Sequence, residues 1–198
     1  MKEHNFPNES FIGGWYIPEK LCDDLVKVFN NEDYKVNAKP GKIVQSGKIV
    51  ENKVKKDSLD LLIPYEINPF LIKEVVSYRY YLQQCLIKYT EKFPETNNIG
   101  SIDINDELQL QYYKPNGGFK NWHFERTGPS TKNRVLVFMT YLNDVEDGGT
   151  HFKYQNMISP AKKGLTIIWP ADWTHTHKGQ ISKTKEKYIM TGWYTYNV

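Results

Sequence analysis

Cysteine is scarce in this chain of 198 residues: only Cys22 and Cys85 occur, far apart and each beside apolar sequence of helical spacing. They can build neither a disulfide framework nor a zinc pattern, and they read as two buried thiols in a reducing compartment. Long apolar runs are missing too. Nowhere do about 18 uninterrupted apolar residues occur, and Met1 to Ser10 has no apolar stretch behind its charged residues, so neither a membrane helix nor a secretory leader is expected. Nor is there a surplus of charge of one sign: 26 Lys and Arg face 23 Asp and Glu, a net +3, which gives no field pointing to a nucleic-acid or membrane partner. Internal repeats and low-complexity tracts are absent. The expectation is a soluble cytoplasmic protein with one core over residues 1–198.

Aromatic residues, by contrast, are plentiful. Fourteen Tyr, nine Phe and five Trp are the side chains that fill β-rich cores and line clefts. Phe11 to Ile17 is β-prone, and Pro18 then precedes Leu21, Leu25, Val26, Val28 and Phe29 at helical spacing, which predicts a strand and an amphipathic helix ending near Asn30. Asn31 to Asp57, rich in Lys and Asn with Pro40-Gly41, reads as a surface loop holding at most a weak strand and no visible function. Pro69 opens a second helical run through Leu71, Val75, Tyr78, Leu82, Leu86 and Tyr89 to about Phe93, expected to pack across the outside of a sheet.

After Gly100 the period changes to two. Leu108, Leu110 and Tyr112 alternate with Gln109, Gln111 and Tyr113, and β-rich runs follow at 135–142, 165–169 and 188–194. With turn signals at 115–118, 147–149 and 162–164, the pattern predicts an antiparallel barrel or jelly roll.

Four of the five histidines fall in this β region, in Trp122-His123-Phe124-Glu125, Thr150-His151-Phe152 and Thr174-His175-Thr176-His177. In a strand, residues i and i+2 share a face, so His123 and Glu125 can aim an imidazole and a carboxylate at one point, with Phe124 on the other side. A third ligand, a nitrogen from a distant strand, would complete a two-histidine, one-carboxylate facial triad with open positions, the arrangement of non-haem iron(II) oxygenases. His-x-Glu alone is a weak signal, since such triplets arise by chance. The later segment adds weight, because Lys187 follows His177 by ten positions and opens the run Lys187 to Trp193. His175 and His177 are two apart and either could supply the distal nitrogen; the spacing to Lys187 and the following His177-x-Gly179 favour His177. His151 is expected at a barrel rim and His4 in a disordered tail.

These residues carry a resemblance. Tyr113-x-Pro-x-Gly-Gly-Phe leading into His123-x-Glu125, Tyr141-Leu-Asn followed by Gly148-Gly149-Thr150-x-Phe152, Trp169-Pro170, and His177-x-Gly179 with Lys187 ten residues on together resemble the prolyl-4-hydroxylase-like 2-oxoglutarate and iron(II) oxygenases, closely so the phage-encoded members. The resemblance spans Tyr113 to Trp193. It implies a mainly β, α+β chain with a double-stranded β-helix (jelly-roll, cupin-like) core, residues 1–100 supplying an N-terminal strand and supporting helices and 101–198 the metal-binding half.

The resemblance further implies that His123, Glu125 and His177 hold iron(II) and carry catalysis. Lys187 would pair with the distal carboxylate of 2-oxoglutarate, Tyr113 would hydrogen-bond that co-substrate, and Thr191 and Trp193, on the strand face of Lys187, would line its pocket. The implied cofactors are iron(II), 2-oxoglutarate and dioxygen, with ascorbate as a candidate reductant. The implied reaction is hydroxylation with release of succinate and carbon dioxide; a carboxylate at 125 argues against halogenation. Peptidyl proline ranks first as substrate, with a free amino acid or another small molecule as the alternative. Three rivals stand beside this reading: a non-enzymatic jelly-roll binding module, a cupin-like enzyme without 2-oxoglutarate, and a nucleic-acid demethylase, for which Lys178, Lys183, Lys185 and Lys187 offer only a modest basic run.

Overall fold

The computed structural model describes residues 1–45, 48–64 and 72–197. Along the chain run β1 (Gly13–Tyr16), α1 (Glu19–Asn30), α2 (Glu32–Lys35), β2 (Lys39–Pro40), β3 (Lys42–Gln45), β4 (Lys48–Glu51), β5 (Lys56–Asp57), β6 (Leu59–Ile63) and α3 (Lys73–Lys92). They are followed by β7 (Ile102–Asp103), β8 (Leu108–Tyr113), β9 (Gly118–Phe119), β10 (Arg134–Tyr141), β11 (Val145–Phe152), β12 (Met157–Ala161), β13 (Leu165–Pro170), β14 (His177–Gly179) and β15 (Lys187–Tyr196).

The large sheet has the order β1-β13-β10-β15-β8-β6-β2, with β7 paired beside β15, and its pairings are antiparallel. Opposite it lies a smaller antiparallel sheet, β12-β11-β14, and the two close over a common interior as a double-stranded β-helix.

Alternation decides what each side of the large sheet does. Leu108 and Leu110 of β8, Leu136 and Phe138 of β10, Ile168 of β13 and Tyr188, Met190 and Tyr194 of β15 face outward. There they pack with Leu21, Leu25 and Phe29 of α1 and Val75, Tyr78, Leu82 and Tyr89 of α3 in one apolar core. The intervening Val137, Met139, Tyr141, Ile167, Trp169, Ile189 and Trp193 face inward and meet Phe152 and Ala161 of the smaller sheet in a second. Each such side chain withdrawn from water contributes about 1.5–3 kcal/mol, so the helices are held by their buried stripe rather than by propensity. A polar pin joins the layers: the Tyr78 hydroxyl lies 2.9 Å from Thr140 Oγ1, itself 2.7 Å from Thr166 Oγ1.

The first strand and helix fall where the spacing predicts, with Pro18 as the residue that caps α1. The second helix begins at Lys73; the expected start at Pro69 and Leu71 lies outside the described residues. The described residues of 31–57 are more ordered than expected. They form α2, β2, a β3–β4 ladder pairing Ile43 with Val50 and Val44 with Ile49, and β5, which pairs with β9. Short strands edged by lysines carry too little apolar periodicity to be seen in a sequence.

The turn expected at 147–149 is instead a bulge within β11, where the register to β12 shifts between Val145 and Thr150. The turn at 162–164 is present, and there Gly164 holds φ +82° with the place of its missing Cβ only 2.5 Å from the Ile17 carbonyl oxygen. The N-terminal tail is also ordered: Glu3 bridges Trp15, His4 N donates to the Gly14 oxygen, and His4 Nδ1 lies 3.2 Å from the Tyr16 hydroxyl. Among the described residues, no helix is long and apolar enough to cross a membrane.

Candidate active site

His123 and Glu125 do not sit in a regular strand. Their segment is an irregular stretch pinned at two points, His123 forming an isolated two-bond bridge with His177 and Glu125 N donating to the Ala171 oxygen at 3.1 Å. Phe124, half-buried, lines the same cavity rather than the opposite side. His177 opens β14 in the smaller sheet, opposite Phe152.

The bridge brings His123, Glu125 and His177 together, with one ligand atom from each lying within 4.8 Å of the others. Glu125 Oε1 is 3.6 Å from Nε2 of both histidines. Nδ1 of His123 lies 2.9 Å from the Asn121 carbonyl oxygen, and Nδ1 of His177 lies 2.8 Å from that of His175. A carbonyl oxygen only accepts, so both Nδ1 atoms carry the proton and both Nε2 lone pairs face the carboxylate, the tautomer that metal ligation requires. Burial holds both imidazoles below their ordinary pKa, that of His123 well below, and keeps them neutral. Phe119 stacks on His123 at 3.5 Å between ring centres, and Trp169 meets His177 edge-on at 5.1 Å, fixing both ring planes. Two neutral nitrogens and one carboxylate oxygen suit a divalent iron.

His175, the competing nitrogen, is directed elsewhere. Its Nε2 meets the Ser10 carbonyl oxygen at 2.9 Å and its Nδ1 the Thr174 hydroxyl at 3.0 Å, so it ties the N-terminal segment to the barrel. His151 lies on β11 near Trp122 at the rim, where Lys178 sits 4.6 Å from the Trp122 ring centre.

A cavity of about 780 Å³ runs from the three ligand residues along the inner face of β8 and β15, and Tyr113, Lys187, Thr191 and Trp193 all line it. Lys187 is 6% exposed; its ammonium donates to the carbonyl oxygens of Gly148 at 2.8 Å and Gln180 at 3.2 Å, and desolvation lowers its pKa from 10.5 to about 8. Of its three N–H groups, one is left over by these two carbonyls. Tyr113 donates its hydroxyl to Gln111 Oε1 at 2.6 Å, and burial raises its pKa well above the ordinary value. Thr191 donates to the Phe138 carbonyl at 2.8 Å, a strand-to-strand bond. Trp193 does more than line the pocket, because its indole N–H donates to Glu125 Oε2 at 3.0 Å.

Several cavity residues escape the sequence reading. Asp60 accepts from Lys56 at 2.6 Å, from Ser58 at 2.7 Å and from Gln111 at 3.3 Å, forming a buried network behind Tyr113. Gln109 and Gln111 had a signal, as the polar alternates of Leu108 and Leu110 on the face of Tyr113. Lys56 and Asp60 had none, lying in or beside the segment without periodicity. Arg134, 3.4 Å from Glu125 Oε2, is the other omission.

Comparison with known proteins agrees with this geometry. Residues 108–195 match the 2OG-Fe(II) oxygenase superfamily. Sequence comparison with curated proteins finds no match. Among solved structures, the chain is similar to a prolyl-4-hydroxylase of Pseudomonas putida, with a TM-score of 0.69, 12% identity, and 96% of this chain and 94% of that one covered. It is similar to the 2OG complex of the viral collagen prolyl hydroxylase of Paramecium Bursaria Chlorella virus-1, with a TM-score of 0.65, 16% identity and 94% and 97% covered. A prolyl hydroxylase from Trichoplax adhaerens, in complex with a hypoxia inducible factor oxygen degradation domain peptide fragment, gives a TM-score of 0.68 at 12% identity, with 95% and 84% covered. At such identities the structures speak to the fold, and the superfamily match speaks to the chemistry, whose cofactors are iron(II), 2-oxoglutarate and dioxygen. Residues 108–195, which hold the three ligand residues together with Tyr113, Lys187, Thr191 and Trp193, thus resemble a 2OG-Fe(II) oxygenase superfamily domain, and this match supports a 2-oxoglutarate-dependent dioxygenase.

Proposed function

We propose that this enzyme hydroxylates peptidyl proline, using iron(II) held by His123, Glu125 and His177, with succinate and carbon dioxide as co-products. The observation that carries the reading is the convergence of two fixed Nε2 lone pairs and one carboxylate oxygen in a cavity that also contains a buried lysine. Bound iron would supply dioxygen activation. The chain's own residues do the rest: the Asn121 and His175 carbonyls orient the imidazoles, and Phe119, Phe152 and Trp169 exclude water from around them.

Lys187 is the residue for the distal carboxylate of 2-oxoglutarate. It is a cation in a desolvated wall with no carboxylate partner within hydrogen-bond reach among the described residues, so an incoming carboxylate gains an uncompensated charge. Tyr113 pairs with it across β8 and β15, Thr191 lies four residues further along β15 in the same cavity, and residues 1–198 act as one oxygenase domain, the helices bracing the sheet that carries all three.

A polypeptide substrate is supported by the cavity's size and lining. It far exceeds the needs of a five-carbon diacid, and its lining reaches beyond the ligand residues to Lys42, Ile43 and Ile49 and to Asn105, Asp106 and Glu107. The solved relatives with comparable folds are prolyl hydroxylases, one of them holding a peptide fragment. The test is to incubate the enzyme with iron(II), 2-oxoglutarate, ascorbate and either proline-rich peptides or free proline, and to look for added oxygen by mass spectrometry. Hydroxyproline within the peptide supports the reading, whereas turnover of free proline alone would replace it with a small-molecule hydroxylase.

A further inference from the structure

Glu125 has two carboxylate oxygens and three rotatable side-chain bonds, so nothing intrinsic to it fixes which oxygen, or whether both, would face a metal. The surroundings fix it. Oε1 lies 3.6 Å from each histidine Nε2, while Oε2 is turned away and held by Trp193 Nε1 at 3.0 Å and by an Arg134 guanidinium nitrogen at 3.4 Å. The same guanidinium nitrogen lies 3.3 Å from the Glu125 carbonyl oxygen, its carbon stacks 3.4 Å from the Trp193 ring centre, and its Nε is 3.6 Å from Asp106. Arg134 is therefore anchored on every side and is not a mobile surface charge; its side chain is 19% exposed and that of Glu125 15%.

The backbone shows how Arg134 reaches that place. In a regular β10 it would share the outward face of Leu136 and Phe138, against the helices. The pairing of β10 with β15 slips between Arg134 and Leu136, and this irregularity turns Arg134 into the cavity. Register breaks of this kind re-aim side chains beside active sites.

We infer that Trp193 and Arg134 are positioning residues that restrict Glu125 to a single metal-facing oxygen. The inference rests on the reading that His123, Glu125 and His177 hold the metal. Trp193 thereby acts on the metal through its ligand rather than on the co-substrate. Occupying Oε2 with two donors leaves Oε1 as the one available atom, which keeps the remaining positions on the metal for other ligands.

The test uses Co(II) as the metal probe on the full chain, reading affinity by calorimetry and coordination by the visible absorption of the bound ion, alongside melting of the metal-free protein. Trp193→Phe keeps the ring and removes the N–H; Arg134→Met keeps the stem and removes the fork. Each variant is expected to weaken Co(II) binding about 10- to 100-fold and to alter its spectrum, while the metal-free melting temperature of Trp193→Phe stays near wild type. Arg134→Lys is expected not to rescue, since an ammonium cannot stack on the indole and bridge two acceptors. Wild-type affinity and spectrum in both Trp193→Phe and Arg134→Met would overturn the inference. Failure of the wild-type chain to bind Co(II), or undiminished binding in His177→Ala, would instead overturn the three-residue metal site beneath it.

Discussion

Nδ1 of His177 donates to the carbonyl oxygen of His175 at 2.8 Å, and these two histidines two residues apart turn their rings to different partners. His177 keeps Nε2 free beside Glu125, whereas both ring nitrogens of His175 are engaged, by Ser10 and Thr174. His177→Ala is expected to abolish metal binding with little change in metal-free stability. His175→Ala is expected to bind metal near normally and to cost about 1–3 kcal/mol by leaving the Ser10 carbonyl unpaired. Metal titration and denaturant unfolding of the two variants check this, and a reversal would exchange their roles.

Lys187 gives a pH dependence whose sign follows from its lowered pKa. The unfolded chain holds that proton up to about pH 10.5 and the native protein only to about 8, so the cost of burying the ammonium is fully present below pH 8. Stability should therefore rise between about pH 8 and 10.5, by about 3 kcal/mol in total, and this rise should be missing in Lys187→Met. Co-substrate binding moves the other way. 2-Oxoglutarate affinity should fall about tenfold per pH unit above 8, because the carboxylate needs the charged form. Calorimetric titration across pH 6.5 to 9.5 checks it, with flat affinity in Lys187→Met.

Two remote substitutions separate the scaffold from the site. Gly164→Ala places a methyl group 2.5 Å from the Ile17 carbonyl oxygen at φ +82° and should cost about 1–3 kcal/mol. Tyr78→Phe removes the hydroxyl that joins α3 to β10 but leaves Thr140 bonded to Thr166, and should cost about 1 kcal/mol. Chemical unfolding gives both values, and metal affinity should be unchanged in each.

The legible parts of the chain were those where one period dominates. α1 and the outward residues of β8, β10 and β15 alternate cleanly because one face meets apolar helices. The grouping of His123, Glu125 and His177 was legible as well, although the strand geometry expected for His123-x-Glu125 is supplied instead by an isolated bridge to β14. What stayed hidden depends on contacts distant in sequence. Lys56 finds Asp60 and Gln111 only after β5, β6 and β8 assemble, and Arg134 enters the cavity only through a register slip that alternation cannot foresee. Nor does sharing a strand face with Lys187 reveal that the N–H of Trp193 ends on Glu125.

The central claim is tested most directly by succinate release. Metal-free protein is supplied with iron(II), 2-oxoglutarate and ascorbate under nitrogen, oxygen is admitted, and succinate is quantified for wild type, His177→Ala and Lys187→Ala. The account predicts succinate that requires iron and oxygen, disappears in His177→Ala, and in Lys187→Ala returns only at much higher 2-oxoglutarate. Equal succinate in wild type and His177→Ala, or none from wild type at any co-substrate concentration, would contradict it.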